Sequence, residues 1–140
     1  MLESLFVTPA VTAIEEALAS ARASGPIAVV GNARLAKALG EKLEVIAVGL
    51  APRAAKKHGG KMAQLGELPP RSIGAVVGTD ASDASITDWA RIVRDGGAIV
   101  TIDRNGAANA SRRALCGGLT ELEQRHAGRL VITSGLVTHL

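Results

Sequence analysis

The sequence has no tyrosine, one phenylalanine, one tryptophan and one cysteine in 140 residues. Lone Cys116 has no partner within the chain, which excludes a disulfide scaffold. One thiol and three scattered histidines, His58, His126 and His139, form no paired-ligand spacing, so no metal site is expected. With so few aromatics, base stacking has few platforms. No apolar run reaches the roughly 18 residues that a membrane span needs, because charges, Gly or Pro interrupt each stretch. Met1 to Pro9 carry Glu3 and no basic segment, so no secretory signal and a cytoplasmic location are expected. A G-x-x-x-x-G-K-[ST] phosphate loop is absent, which leaves nucleotide hydrolysis without a motif.

What the chain does have is apolar residues, 47% of the total, enough to bury a core without disulfides or metal. The expectation is a single domain over 1–140, made of a leading helix (1–25), alternating strands and helices (26–127) and a terminal hairpin (128–140). Sixteen basic and thirteen acidic side chains leave a net charge of +3, spread over both halves of the chain. The one local cluster is Arg53, Lys56, Lys57, His58 and Lys61. It reads as the solvated face of a short helix and its following turn, with a phosphate or nucleic-acid contact as the alternative.

Periodicity places the elements. Val11, Ile14, Leu18 and Ala21 recur at helical spacing over Pro9–Ala23, a helix entered through Thr8-Pro9 and stopped by Gly25-Pro26. Ile27–Gly31 is a short continuous apolar run, as in a strand covered on both faces. A short helix through Leu35, Ala36 and Leu39 follows, then a strand at Val45–Val48 and a helix over Pro52–Lys57. A weaker strand is expected at Lys61–Leu65, a loop at Gly66–Ser72, a strand at Ile73–Gly78 and a helix at Ser85–Arg94. Gly96-Gly97 turns into a strand at Ala98–Ile102. A long helix from Ala108 to His126 should bury Leu115, Leu119 and Leu122, hold Cys116 as a small core residue and end at His126, whose charge suits the helix dipole. Arg129–Thr133 and Leu136–Leu140 should pair about Ser134-Gly135. Strands alternating with helices in this order imply a three-layer α/β/α sandwich, with a mostly parallel, Rossmann-like sheet and a C-terminal antiparallel hairpin.

Two stretches carry a family likeness. Val45-Ile46-Ala47-Val48-Gly49-Leu50-Ala51-Pro52-Arg53-Ala54 resembles the second strand of the class I S-adenosylmethionine-dependent methyltransferases, commonly V-x-A-V-D-x-S-P-x-A. Ile73–Val77, with Trp89–Val100 around Gly96-Gly97, resembles that family's fourth strand, following helix and L-x-P-G-G-x-L/V turn. The resemblance implies S-adenosylmethionine as the cofactor of an active member. It also implies cofactor-contacting positions at Gly31, Asn32, Gly49, Leu50, Thr79 and Asp80.

The departures fall on those positions. The family's first strand commonly runs into D/E-x-G-x-G-x-G, whereas Val29-Val30-Gly31-Asn32-Ala33-Arg34 keeps one glycine in a shorter loop. The acidic residue that accepts both ribose hydroxyls is replaced by Gly49. Losing a charge-assisted acceptor costs about 1.5–3 kcal/mol, roughly tenfold to more than a hundredfold in affinity. Asp80 is the best-placed carboxylate for catalysis because it follows a strand end, where doubly wound sheets build their clefts. Its alternative is a turn or capping role, as for Asp83 and Ser85. Asp103 and Arg104 should face the same mouth, either as a base and its neighbour or as a satisfied loop.

Three functions follow. The first is a methyltransferase-like domain without catalysis, binding no cofactor and serving as a binding or assembly module, with the terminal hairpin edge over Arg129–Leu140 offered to a protein partner or a second copy. The second is an active small methyltransferase in which Asn32, Ser82 or Asp80 replaces the missing contacts. The third reads Gly31–Ala36 as a worn dinucleotide loop, with Arg53 near a 2′-phosphate.

Overall fold

The structure, a computed structural model, describes residues 2–79, 81–104 and 106–139, with the side chains of 2–9 outside the description. Its elements are α1 (Leu2–Ser20), β1 (Ile27–Val30), α2 (Ala33–Gly40), β2 (Val45–Val48), α3 (Pro52–Lys57), β3 (Lys61–Ala63), a 3-10 turn (Leu65–Glu67), β4 (Ile73–Thr79), α4 (Asp83–Ile92), β5 (Val93–Asp103), α5 (Ala107–Cys116), β6 (Thr120–Ala127) and β7 (Leu130–Leu136). One sheet runs β3-β2-β1-β4-β5-β7-β6. β1 lies parallel between β2 and β4, with Ile27 opposite both Val45 and Ala75, and β7 enters antiparallel between β5 and β6. The α/β architecture and its C-terminal antiparallel hairpin are those expected from the sequence.

Alternation along the strands sorts the core into two layers. Val29, Ala47, Ala75, Val77 and Val100 face α1 and α2, while Ala28, Val48, Val76 and Ile99 face α4 and α5. Because both faces are covered, β1 and β4 read as unbroken apolar runs instead of alternating ones. Among the described residues no helix is long and apolar enough to cross a membrane.

Several boundaries differ from expectation, among them that of β5, which begins at Val93 so that Gly96-Gly97 lies inside the strand. The backbone of α1 is already helical at Leu2, so Pro9 lies inside it, where a helix can hold proline at the loss of one hydrogen bond. The helix expected to reach His126 stops at Cys116. Gly118 takes φ +91°, and Leu119 N–H donates to Ala114 O at 3.0 Å, closing the last turn. The chain then returns as β6, where His126 sits opposite Val131, so this histidine ends no helix. Leu119 is buried as expected, but Leu115 is 61% exposed and Cys116 is exposed rather than in the core.

The hairpin also turns elsewhere. Ala127 pairs with Leu130, and Gly128 takes φ +62° as the first of two turn residues, which suits a type II′ turn. Ser134-Gly135 lies inside β7 instead. A Cβ on Gly135 would stand 2.7 Å from Leu122 Cδ2 and 2.8 Å from Leu119 Cβ, so this glycine permits close packing, not a turn.

Two contacts fix the outer layers. The ring of Trp89, 6% exposed, lies against β4, and a Cβ on Gly78 would fall 2.4 Å from its Cη2. Asp103, 6% exposed at the end of β5, accepts from Arg113 of α5 at 2.7 Å. Gly78→Ala should therefore lower stability by about 1–3 kcal/mol and red-shift Trp89 emission in urea unfolding. Wild-type stability would contradict this packing. Arg113→Met should cost about 3 kcal/mol, the low end for a broken buried pair because the arginine is partly exposed, and adding Asp103→Asn should recover part of the loss. In thermal melts, equal stability of Arg113→Met and wild type would contradict the role given to this pair.

Candidate functional site

In open parallel sheets, ligand clefts form beyond the C-terminal strand ends, at the point where strand order reverses. Here that point lies between β1 and β4, with β2 beside them. β1 ends at Gly31, φ +70°, and β2 at Gly49, φ +65°. A Cβ at either would meet nothing within 4 Å, so glycine serves the left-handed backbone and not a tight fit. Both amides extend the parallel ladder. Gly31 N–H donates to Val48 O at 2.8 Å, and Gly49 N–H donates to Ala63 O at 3.2 Å.

The side chains around this mouth are drawn into local structure. Asn32 is the N-cap of α2, its Oδ1 accepting from Leu35 N–H at 3.0 Å. Leu50 packs, half-buried, on the core layer under α1 and α2. Thr79 ends β4 and is exposed, while Ala81 is buried. Ser82 caps α4, its Oγ accepting from Ser85 N–H at 3.1 Å and sharing a hydrogen bond with Ser85 Oγ at 3.0 Å. Asp80, the candidate catalytic residue, lies outside the described residues. The backbone thus brings Gly31, Asn32, Gly49, Leu50 and Thr79 to one end of adjoining strands. Asp103 ends β5 at the same end of the sheet, with its carboxylate turned to Arg113, and exposed Arg104 follows it. Among the described residues, no group of three or more His, Cys, Asp or Glu side chains could hold a metal ion.

The largest cavity described lies beside this mouth, between α2 and α3. It holds about 1000 Å³, with Ala33, Ala36, Leu43, Val45, Ala51 and Ala54 as its apolar lining. Arg34, Lys37, Arg53, Lys57 and His58 stand along it, with Glu41 as its one carboxylate. Of the basic cluster singled out in the sequence, Arg53, Lys57 and His58 line this groove. Lys56 is exposed outside it, and Lys61 pairs with Glu44 at 3.5 Å. Sequence reasoning missed the groove because its apolar half comes from alanines, whose spacing in α3 is too weak a signal to show that they stay partly uncovered.

A second cavity of about 250 Å³ lies between the end of α1 and the terminal hairpin. There, hydrogen bonds from Arg125 and Ser20 hold the Glu123 carboxyl below its ordinary range.

No protein-family model and no curated protein matches the sequence. Solved structures do match. A SAM-dependent methyltransferase from Thermotoga maritima superposes with a TM-score of 0.71 at 13% identity, over 96% of this chain and 92% of that one. A chain from the complex of the Haloferax volcanii Trm112 methyltransferase activator with a protein assigned as a methyltransferase matches at 0.69 and 13% identity, over 91% and 89%. The T. thermophilus 16S rRNA N2 G1207 methyltransferase, in complex with AdoMet and guanosine, matches at 0.63 and 17% identity over 83% of this chain, which spans only 36% of that enzyme's length. Strand order, the antiparallel β7 and these superpositions agree, and the chain has the fold of the class I S-adenosylmethionine-dependent methyltransferases.

Proposed function

We propose that this chain is one methyltransferase-fold domain, working in the cytoplasm, that no longer performs methyl transfer and acts as a binding or assembly module. The observation that carries this reading is Gly49. It stands at the end of β2, where the resemblance calls for the carboxylate that accepts the ribose hydroxyls, and it offers no side-chain acceptor. Two of the described polar side chains nearby, Asn32 and Ser82, already cap α2 and α4. A missing charge-assisted acceptor alone costs about 1.5–3 kcal/mol of cofactor affinity. The described residues at this mouth do not fit S-adenosylmethionine.

A role in protein contact draws support from the similar fold found in complex with an activator protein. The exposed edge strand β6 is a poor surface for that role, although the sequence suggested the hairpin edge. It carries Glu121, Glu123 and Arg125, its register shifts between Thr120 and Glu123, and Glu121 takes φ +50°. Charges and irregularities of this kind keep sheet edges from pairing with other chains.

Titration calorimetry with S-adenosylmethionine and S-adenosylhomocysteine, carried to millimolar ligand, should show no binding heat. Micromolar binding of either would overturn the proposal.

A further inference from the structure

We propose that the groove between α2 and α3 receives an acidic amphipathic helix of a partner protein, an inference that rests on the binding-module reading and names the partner's chemistry. The groove has the two properties such a helix needs. Its lining of Ala33, Leu43, Val45, Ala51 and Ala54, over buried Ala36, is apolar, and Ala33, Ala51 and Ala54 leave room for larger side chains from outside. α3 buries none of its own residues, so the groove has a wall that this chain leaves uncovered. Met62, 46% exposed, sits in register with Ala47 of the core layer and so extends the apolar surface on this same face of the sheet.

Charge selects the occupant. Arg34, Lys37, Arg53 and Lys57 against Glu41 give the groove the whole +3 excess of the chain, so the remaining residues balance to zero. Some basic side chains outside the groove are paired, as in Lys42 with Glu15, Lys61 with Glu44 and Arg125 with Glu16 and Glu123. Lys37, Arg53 and Lys57 are exposed and have no carboxylate partner among the described residues. A helix with an apolar stripe flanked by Glu or Asp would lay the stripe on the alanines and pair its acids with these three cations.

Nucleic acid is the weaker match. The groove offers no Phe, Tyr or Trp for a base to stack on, His58 being its one ring, and the one tryptophan is buried against β4 under α4.

The test uses the full chain and a fluorescein-labelled peptide of about 18 residues, with Leu at i, i+3, i+4 and i+7 flanked by Glu. Fluorescence anisotropy should show saturable micromolar binding that weakens as salt rises. The Lys37→Glu, Lys57→Glu double variant changes only exposed side chains and should keep the wild-type circular dichroism spectrum. It should lose roughly tenfold or more in affinity. Replacing the peptide's leucines by serine should abolish binding. The proposal fails if the acidic peptide does not bind, if the double variant binds it as tightly as wild type, if the serine peptide binds equally, or if a labelled oligouridylate binds more tightly. Failure of the peptide while S-adenosylhomocysteine still gives no heat removes the groove assignment alone. Heat with that ligand removes the binding-module reading.

Discussion

Between the end of β1 and the first turn of α2 stand two residues, Gly31 and Asn32, and the polar groups that matter there are committed within the fold. The Gly31 amide continues the ladder to Val48, and the Asn32 carboxamide caps the helix at Leu35. A helix N-terminus is ordinarily a ready-made site for polar ligand groups because its first amides lack intrahelical partners. Here a side chain of the same connection takes up one of those amides. Two more of the described residues at the mouth are arranged in the same way, with Leu50 packed on the core and Ser82 engaged at the start of α4.

A sheet with so few large side chains depends on close approach. Trp89 lies on β4 because Gly78 has no Cβ, and Gly135 admits Leu119 and Leu122 onto β7. Gly117 plays the same part against Ile86, where a Cβ would stand 2.5 Å from its Cγ2. Small residues thus substitute for aromatic bulk in joining the layers, and each such glycine becomes a position where one methyl group is too much. The groove between α2 and α3 is the complement of this economy. There Ala33, Ala51 and Ala54 stay partly or fully exposed, and an apolar surface remains open beneath a basic rim.

Local pattern made most of the fold legible. β1, β2, β4 and the core of β5 were visible as apolar runs, and α3 was placed at its observed bounds by Pro52 and the glycines after His58. Besides the start of α1, the larger errors lay in the last third of the chain. Leu115, Leu119 and Leu122 have spacing compatible with a helix, but the left-handed backbone at Gly118 follows the end of α5, leaving Leu115 on the helix and Leu122 on β6. Ser134-Gly135 looked like a turn because glycine has two uses, and sequence cannot separate a left-handed bend from a close approach. At the mouth, the glycine at position 49 and the short loop were readable from the residues alone. The capping bonds of Asn32 and Ser82, the Asp103–Arg113 pair and the groove all required three-dimensional neighbours.

The central claim is that the amides ending β1 and β2 and the Leu35 amide in the first turn of α2 are engaged by the fold itself. Its most direct test is a two-dimensional amide spectrum of the isotopically labelled chain during titration with S-adenosylhomocysteine. The account predicts that the Gly31, Gly49 and Leu35 resonances stay fixed, since their protons are already donated to Val48 O, Ala63 O and Asn32 Oδ1. Saturable shifts of these three signals would contradict it.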